Sequence, residues 1–280
     1  MKSHTNIKQV YQYLCAELNC FEDAKYESSE LVRFVCNASN SDLLIGEKEV
    51  TNNQMQTLAK MIEKRKSGYP LQYILGQWEF YGLPFYVGEG VLIPRSDTEA
   101  LVNTAREYAK NKGPLKILDI CSGSGCIAIT LKHLLPNSDV FALEKSEAAI
   151  SYLKKNIALN QSDITLIQDD ALNPQTNETN FDIIVSNPPY LTKQDMESLQ
   201  KEVSFEPEMA LCGEEDGLHF YRELTRIWTP RLKQGGLLAY EIGIHQENDV
   251  SNILISNGYN TICNQKDLCD IIRVIYSVKK

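Results

Sequence analysis

Residues 187–190, Asn-Pro-Pro-Tyr, follow directly on the apolar run 181–186 (Phe-Asp-Ile-Ile-Val-Ser), and they are the residues of this chain best suited to do chemistry. A buried strand that ends this way carries a rigid polar clamp to the carboxyl edge of a sheet, where α/β proteins bind their ligands. The clamp suits a planar NH2 group. An amide or aromatic amine has a delocalised lone pair and is a poor nucleophile until it is held, polarised and aimed at a methyl donor. The Asn187 side-chain oxygen can accept one N–H and a backbone carbonyl of the Pro188–Pro189 segment the other. The two prolines remove backbone donors and restrict φ, and each residue before a proline is pushed toward extended geometry. Tyr190 adds a face for stacking. The competing reading is a rigid strand exit, because Asn-Pro and Pro-Pro are common turn punctuation.

A second group lies upstream. Residues 116–130 (Lys-Ile-Leu-Asp-Ile-Cys-Ser-Gly-Ser-Gly-Cys-Ile-Ala-Ile-Thr) read as a buried strand, a loop of small residues and an apolar helix start. Asp119 is placed to accept hydrogen bonds from the loop or from a ligand ammonium. Gly123 and Gly125 allow close backbone approach, although glycines after a strand also serve helix packing. The next strand, 139–144, ends in Glu144, 21 residues beyond Gly123, where an acid can accept both hydroxyls of a ribose. A third strand, 164–168, runs into Asp169 and Asp170, which either meet an adenine edge or close a solvated turn. Dinucleotide loops use a third glycine, whereas Cys126, Ile127 and Ala128 follow Gly125 here. S-adenosylmethionine carries no phosphate and is therefore favoured over NAD. The expected cofactor residues are Asp119, Cys121, Ser122, Gly123, Ser124, Gly125, Glu144, Asp170, Ala171 and Asn187, with no metal.

Taken in order, these stretches resemble the HemK/PrmC-type glutamine methyltransferases of peptide chain release factors. The resemblance also rests on 70–76 (Pro-Leu-Gln-Tyr-Ile-Leu-Gly), 91–99 (Val-Leu-Ile-Pro-Arg-Ser-Asp-Thr-Glu), Glu206-Pro207, Ala210-Leu211, Asp216-Gly-Leu218, 235–241 (Gly-Gly-Leu-Leu-Ala-Tyr-Glu), Gln246 and 267–273. It covers about residues 70–280, the N-terminus matching in character more than in motif. It implies a Rossmann-like α/β fold with a seven-stranded methyltransferase sheet, S-adenosylmethionine as cofactor and direct transfer of methyl to a glutamine amide held by Asn187, Pro188, Pro189 and Tyr190. Two positions depart from the family pattern. Cys121 stands where glycine is usual, tolerable if its φ is negative, and Glu144 stands where aspartate is usual. A related enzyme that methylates a ribosomal-protein glutamine tends to lose the Asp-Thr-Glu retained at 97–99. Arg95, Thr98 and Glu99 either line the cofactor pocket or pair with each other, with Thr98 capping the helix that follows. A nucleic-acid adenine methyltransferase is the alternative of another class, since the exocyclic amine fits the same clamp.

The elements that position these groups divide the chain into 1–70, a helical substrate-recognition domain; 71–96, a β-hairpin linker; and 97–280, the methyltransferase domain. Ile7, Val10, Tyr11, Leu14 and Leu18 follow helical spacing. Ser28 or Ser29 is expected to cap a second helix and Thr51 another. From Leu71 to Ile93 the pattern alternates, with breaks at Gly82-Leu-Pro84 and Gly88-Glu-Gly90, which predicts the hairpin. A helix is expected from Thr98 to about Lys112, and two strands near 259–263 and 271–278 close the chain. With 280 residues, 43% hydrophobic, the chain can bury one full core and a smaller second one. No run approaches the roughly 18 apolar residues of a membrane span, and the start lacks an apolar signal core, so a cytoplasmic protein with no membrane contact is expected; a monomer is expected as well. Cys15, Cys20, Cys36, Cys121, Cys126, Cys212, Cys263 and Cys269 include no C-x2-C pair and read as reduced thiols. Four histidines show no metal spacing, and His245 reads as a helix-start residue. The net charge of −9, with no basic run longer than residues 64–66, argues against direct nucleic-acid binding and for a basic protein partner.

Overall fold

The structure, a computed structural model, describes residues 5–280; residues 1–4, which belong to the opening stretch read above for a signal, lie outside it. Two compact units emerge, one built from the chain up to Gly76 with Lys201–Phe205, the other from Gln77–Gln200 with Glu206–Lys280.

The first unit is helical: α1 (Ile7–Glu17), α2 (Ala24–Cys36), α3 (Asn40–Ile45), α4 (Asn52–Lys66) and α5 (Leu71–Leu75). Asn6, Ser39 and Thr51 each form a reciprocal capping box with the residue three positions on, which satisfies backbone donors that a helix start leaves orphaned. Ile7, Val10, Leu14, Leu31, Val32, Leu58 and Ile62 fill the interior. Neither Ser28 nor Ser29 is a cap, because α2 already begins at Ala24 and Ser28 is buried within it. Leu71, Tyr73 and Leu75 are buried in alternation, but on one helical turn between Pro70 and the left-handed Gly76 rather than on a strand. Five residues do not separate a period of 2 from one of 3.6; the flanking Pro and Gly decide.

The second unit opens with a hairpin, β1 (Gln77–Phe80) and β2 (Leu83–Tyr86), turned by Tyr81 and Gly82, both at positive φ. Seven further strands form one sheet: β3 (Lys116–Ile120), β4 (Asp139–Glu144), β5 (Thr165–Gln168), β6 (Phe181–Ser186), β7 (Leu232–Glu241), β8 (Ile262–Lys266) and β9 (Ile272–Val278). Their order is β5-β4-β3-β6-β7-β9-β8, parallel except for β9, which runs antiparallel to both neighbours. Helices α6 (Glu99–Ala109), α7 (Cys126–Leu134), α8 (Glu147–Leu159), α11 (His219–Trp228) and α12 (Glu247–Ser256) supply the covering layers, with the short α9 (Lys193–Glu197) and α10 (Glu208–Leu211) after β6. Successive strand residues alternate between two cores, Ile117, Val140, Ile183 and Leu237 in one, Leu118, Leu143, Ile184 and Leu238 in the other. Strand β8 starts later than expected because Gly258 ends α12 at φ 90° and the Tyr259 side chain is spent on the core. Strand order reverses at β3, which lies between β4 and β6, and ligands of open parallel sheets bind at such a switch point. Register puts Ile120 beside Leu143 and Ser186. The segments that begin at Cys121 and Asn187, and the strand end at Glu144, therefore meet at one edge.

Candidate active site

At that edge lies a cavity of about 790 Å³, walled by residues 90–95, the loop after β3, Glu144, Lys145, Asp170, Ala171, Thr98, Asn187, Pro189 and the α10 region. The loop after β3 is tied down by its own backbone. Ser122 N–H donates to Leu143 O (3.1 Å) and Gly125 N–H to Ser122 O (2.8 Å). The tight path forces Cys121 to φ 60°, so the expectation of a negative φ there is wrong. A non-glycine residue in that region costs about 1–2 kcal/mol, offset here by the anchoring of its neighbour Ser122. Burial, reinforced by the charge of Glu144, pushes the Cys121 thiol far above its ordinary range, so the thiol on the wall stays protonated.

The two glycines of the loop serve different purposes. Gly123, at φ 54°, has nothing closer to a would-be Cβ than Val91 Cγ2 at 4.0 Å, and it lines the cavity. A Cβ on Gly125 would stand 2.1 Å from Leu153 Cδ1, so its bareness lets α8 pack against the loop. Gly125 and Asp119 are not on the wall. Asp119 is fully buried beneath the loop, with Oδ2 accepting from Ala128 N (3.2 Å) and Oδ1 unpartnered. Burial drives its carboxyl up to about 8, against the hydrogen bonds of Ser122 and Ala128 and with the Glu144 charge adding to the rise.

Glu144 ends β4 on the wall. Its Oε2 accepts from Gly123 N (2.8 Å) and its Oε1 from Lys145 N and Ser146 N (2.9 and 2.8 Å), which fixes the carboxylate in place. Asp170 also lines the cavity, paired with Lys145 Nζ at 2.7 Å and accepting from Leu172 N. Its burial would raise the carboxyl, but Lys145 and the Leu172 N–H outweigh that and hold it below the ordinary range. Asp169 lines the cavity as well, while its carboxylate closes a turn through Gln175 N and Thr176 N.

After β6, Asn187 and Pro189 reach the wall; Pro188 and Tyr190 do not. The segment is bedded from behind. Gln246 Nε2 donates to Tyr190 O (3.0 Å), and Leu191 N donates to Leu211 O while Gly213 N donates to Leu191 O. A Cβ on Gly217 would lie 2.3 Å from Tyr190 O. Burial, with the nearby Glu241 charge, raises the Tyr190 phenol beyond its usual range. Tyr190 thus braces the segment rather than lining the cavity.

The retained 95–99 stretch is divided among three tasks. Arg95 is ion-paired with Glu206, which also accepts from Ile93 N (2.9 Å), so Glu206 ties down the cavity-wall segment 93–95. Glu99 accepts from Tyr81 N in the hairpin (3.1 Å). Thr98 stands at the N-cap position of α6, as expected, but its side chain makes no capping hydrogen bond: it lies in a 3-10 turn (Ser96–Thr98) at φ −64° and its hydroxyl accepts from Asn187 Nδ2 at 3.4 Å. Glu241, the buried last residue of β7, has no role assigned from sequence. It ends a strand in an acid as Glu144 does, which is the signal it offers. Among the described residues no protein donor reaches Asn187 Oδ1, so the arrangement presents a carboxamide oxygen, a fixed carboxylate and an open glycine loop to one cavity.

The chain is similar to known proteins over most of its length. Residues 96–205 match the family model of the methyltransferase small domain, and residues 9–76 that of the PrmC N-terminal domain. A release factor glutamine methyltransferase of Fusobacterium nucleatum is 39% identical over 259 residues, covering 92% of this chain and 73% of the relative. One from Thermodesulfovibrio yellowstonii is 39% identical over 254 residues, covering 89% and 90%. Among solved structures, the hMettl16 catalytic domain in complex with an RNA hairpin superimposes with a TM-score of 0.57 at 15% identity over 91% of this chain and 90% of that one, a likeness of fold alone.

Proposed function

The chain belongs to the release factor glutamine methyltransferases, and from that premise we propose how its cavity performs their reaction: Asn187 grips the side-chain amide of a release-factor glutamine. The enzyme is a methyltransferase that takes its methyl group from S-adenosylmethionine. The residues present fit that cofactor. Glu144 offers an acceptor-only carboxylate suited to a ribose diol, Gly123 leaves space on the cavity side, and Ser122, Ser124, Cys121, Asp170 and Ala171 complete the lining. Asp119 and Gly125 support the same loop from beneath.

When bound, S-adenosylmethionine supplies an electrophilic methyl. Everything else falls to the chain. Asn187 Oδ1 accepts one amide N–H and a carbonyl of Pro188–Pro189 the other, so the nitrogen is oriented and its growing positive charge in the transition state is offset. Tyr190, held through Gln246 and Gly217, keeps that segment from yielding. The observation that carries the reading is the Asn187 amide, tied through Nδ2 to Thr98 with its oxygen left for a guest. The partner is a release factor; we place the reaction in the cytoplasm, with the enzyme a monomer and the domain 1–70, whose helices begin at Ile7, recognising the substrate protein. Among the described residues no helix is long and apolar enough to cross a membrane.

Incubation with methyl-labelled S-adenosylmethionine and either a release factor or duplex DNA tests this. Label is expected on one glutamine of the release factor, and loss of that label on replacing the glutamine. Label in the DNA instead would establish the adenine alternative and reject the reading.

A further inference from the structure

Building on the reading that the cavity holds S-adenosylmethionine, we infer that one stripe of α8, centred on Asn156, fixes the register of the extended segment 84–90 and so places the cavity wall that begins at Gly90. Asn156 is thereby a positioning residue for the cofactor. Positions 148, 152, 156 and 160 recur every four residues and share one face of the helix, with a rise of about 6 Å between them. Alternate residues of an extended chain advance by about 6.6 Å. The two steps nearly match, and the structure pairs them one for one in opposite chain directions. Asn160, the residue that caps the C-terminus of α8, donates from Nδ2 to Pro84 O at 2.9 Å. Asn156 engages Tyr86, Tyr152 lies against Gly88, and Ala148 lies against Gly90.

Asn156 is fully buried and spends both ends of its carboxamide on backbone groups. Its Oδ1 accepts from Tyr86 N at 2.6 Å, while Nδ2 donates to Tyr86 O at 3.1 Å and to Ser124 O at 2.9 Å. A half-turn would set the oxygen against two carbonyls, so the orientation is determined. Tyr86 is the last residue of β2, where the hairpin ladder ends opposite Gln77. One side chain therefore supplies, on the helix side, the donor and acceptor that a further strand would supply. The bond to Ser124 carries the consequence for function, because Ser124 belongs to the loop after β3 and lines the cavity. Asn156 thus ties the cofactor loop to the segment that faces it. Further along that segment Val91 comes up to the same loop, its Cγ2 standing 4.0 Å from where a Gly123 Cβ would be.

The two glycines of 88–90 keep this zipper in one register. A Cβ on Gly88 would stand 2.2 Å from Tyr152 Oη and 3.0 Å from its Cζ, and a Cβ on Gly90 would stand 2.7 Å from Ala148 Cβ. Glu89 between them is exposed. A slip of one residue would turn Glu89 onto a face that admits only glycine. The Gly-Glu-Gly stretch, which reads in the sequence as a break in the strand pattern, is a close-approach surface for α8.

The test compares the full-length wild type with Asn156→Leu, which keeps the volume and loses all three hydrogen bonds, with Gly88→Val, and with Gly88→Val combined with Tyr152→Ala. Calorimetry with S-adenosylmethionine, amide exchange of the cofactor-free protein and steady-state methylation of a release factor are the readouts. Asn156→Leu and Gly88→Val are each expected to raise the cofactor Kd about tenfold or more, the scale of a binding wall displaced by an ångström. Cofactor KM should rise in parallel while kcat at saturating cofactor stays within about threefold, since Asn187 is untouched. Amide exchange over residues 86–91 should accelerate in both variants while β3 to β7 keep their protection. Tyr152→Ala makes room for the added methyl groups and is expected to return the Kd of Gly88→Val to within about threefold of wild type, a rescue that a general loss of stability would not give. Should Asn156→Leu fail to fold, Gly88→Val and its rescue still decide. Wild-type cofactor affinity in the single variants, a fall in kcat with cofactor KM unchanged, or a Gly88→Val enzyme left unrescued would overturn the inference. Failure of the cofactor reading shows differently, as a wild-type chain to which calorimetry detects no cofactor binding.

Discussion

Glu144 and Asn187 offer oxygen atoms to the same cavity under different constraints. Glu144 accepts from three backbone N–H groups across its two oxygens, so removing it loses a ligand acceptor and also unties Gly123. Glu144→Ala is expected to weaken cofactor binding by roughly 1.5–3 kcal/mol, the scale of a lost charged hydrogen bond. Titration calorimetry with S-adenosylmethionine checks it, and an unchanged Kd would remove Glu144 from the site. Asn187→Ala is expected to do the reverse, lowering kcat by about two orders of magnitude with cofactor affinity nearly intact, because its partner is the reacting group. Asp119 yields a prediction about stability. Its carboxyl rises from an ordinary 3.8 to about 8 on folding, so the folded state binds a proton that the unfolded state has lost between those values. Its contribution to stability is complete below about 4 and is lost as pH rises through 8. The thermal midpoint is expected to fall across that window, and Asp119→Asn, which keeps an acceptor for Ala128 N, to flatten the fall. An unaltered slope in the variant would assign the pH dependence elsewhere. Residue identity gave Asn187 and Glu144 away early, since a carboxamide before two prolines and an acid at a strand end have few other uses. It did not reveal that Cys121 takes a left-handed φ or that the Thr98 side chain turns to Asn187 instead of making a capping hydrogen bond to α6, because both follow from where neighbouring strands end.

At the scale of elements, the segment after β6 holds its shape because other segments press on it from behind. Gly217, at φ 70°, leaves no room for a side chain between itself and Tyr190 O, and Gln246 at the start of α12 grips the same carbonyl. Gly217→Ala places a carbon 2.3 Å from that backbone oxygen and also demands a conformation that alanine resists. The expected cost is about 1–3 kcal/mol of stability, with a fall in kcat that exceeds any change in cofactor Kd because the displaced backbone leads to Pro189 and Asn187. Chemical denaturation together with steady-state kinetics measures both; normal turnover would show that the bedding is dispensable. Strands β3, β4 and β6 were readable because buried parallel strands form continuous apolar runs ending in polar residues. Short elements were not. The single turn Leu71–Leu75 mimics alternation, and Ser28 is a capping residue by type that tertiary packing draws into the interior of α2.

For the molecule as a whole, the chain alternates between its two compact units, since Lys201–Phe205 belongs with the helices although both its flanks belong with the sheet. No local pattern in those five residues announces this, because what they meet lies far away in sequence: Glu202 pairs with Arg65, 137 positions away, and the Phe205 ring stands edge-on to Tyr69. Arg65 is 2% exposed, donates from Nε and Nη2 to both oxygens of Glu27 at 2.7 Å, donates again from Nη2 to Glu202 at 2.7 Å, and lies over the Phe21 ring at 3.8 Å. Removing the cation would leave Glu27, itself buried, as a desolvated charge without its partner. Losing one member of a buried pair costs about 3–5 kcal/mol, whereas exchanging both members for apolar groups of similar volume is often neutral. Arg65→Ala is therefore expected to melt the helical unit selectively: amide protection should vanish across α1 to α5 while β3 to β7 keep theirs, with cofactor affinity unchanged because every residue of the cavity wall belongs to the other unit. Arg65→Met combined with Glu27→Leu should regain most of the lost protection, with the half-exposed Glu202 left to water. Hydrogen exchange resolves the two outcomes. Uniform loss of protection in both units after Arg65→Ala would mean that they unfold as one cooperative body, and a double variant no better than the single would mean that Arg65 acts through Phe21 and Glu202 rather than by neutralising Glu27.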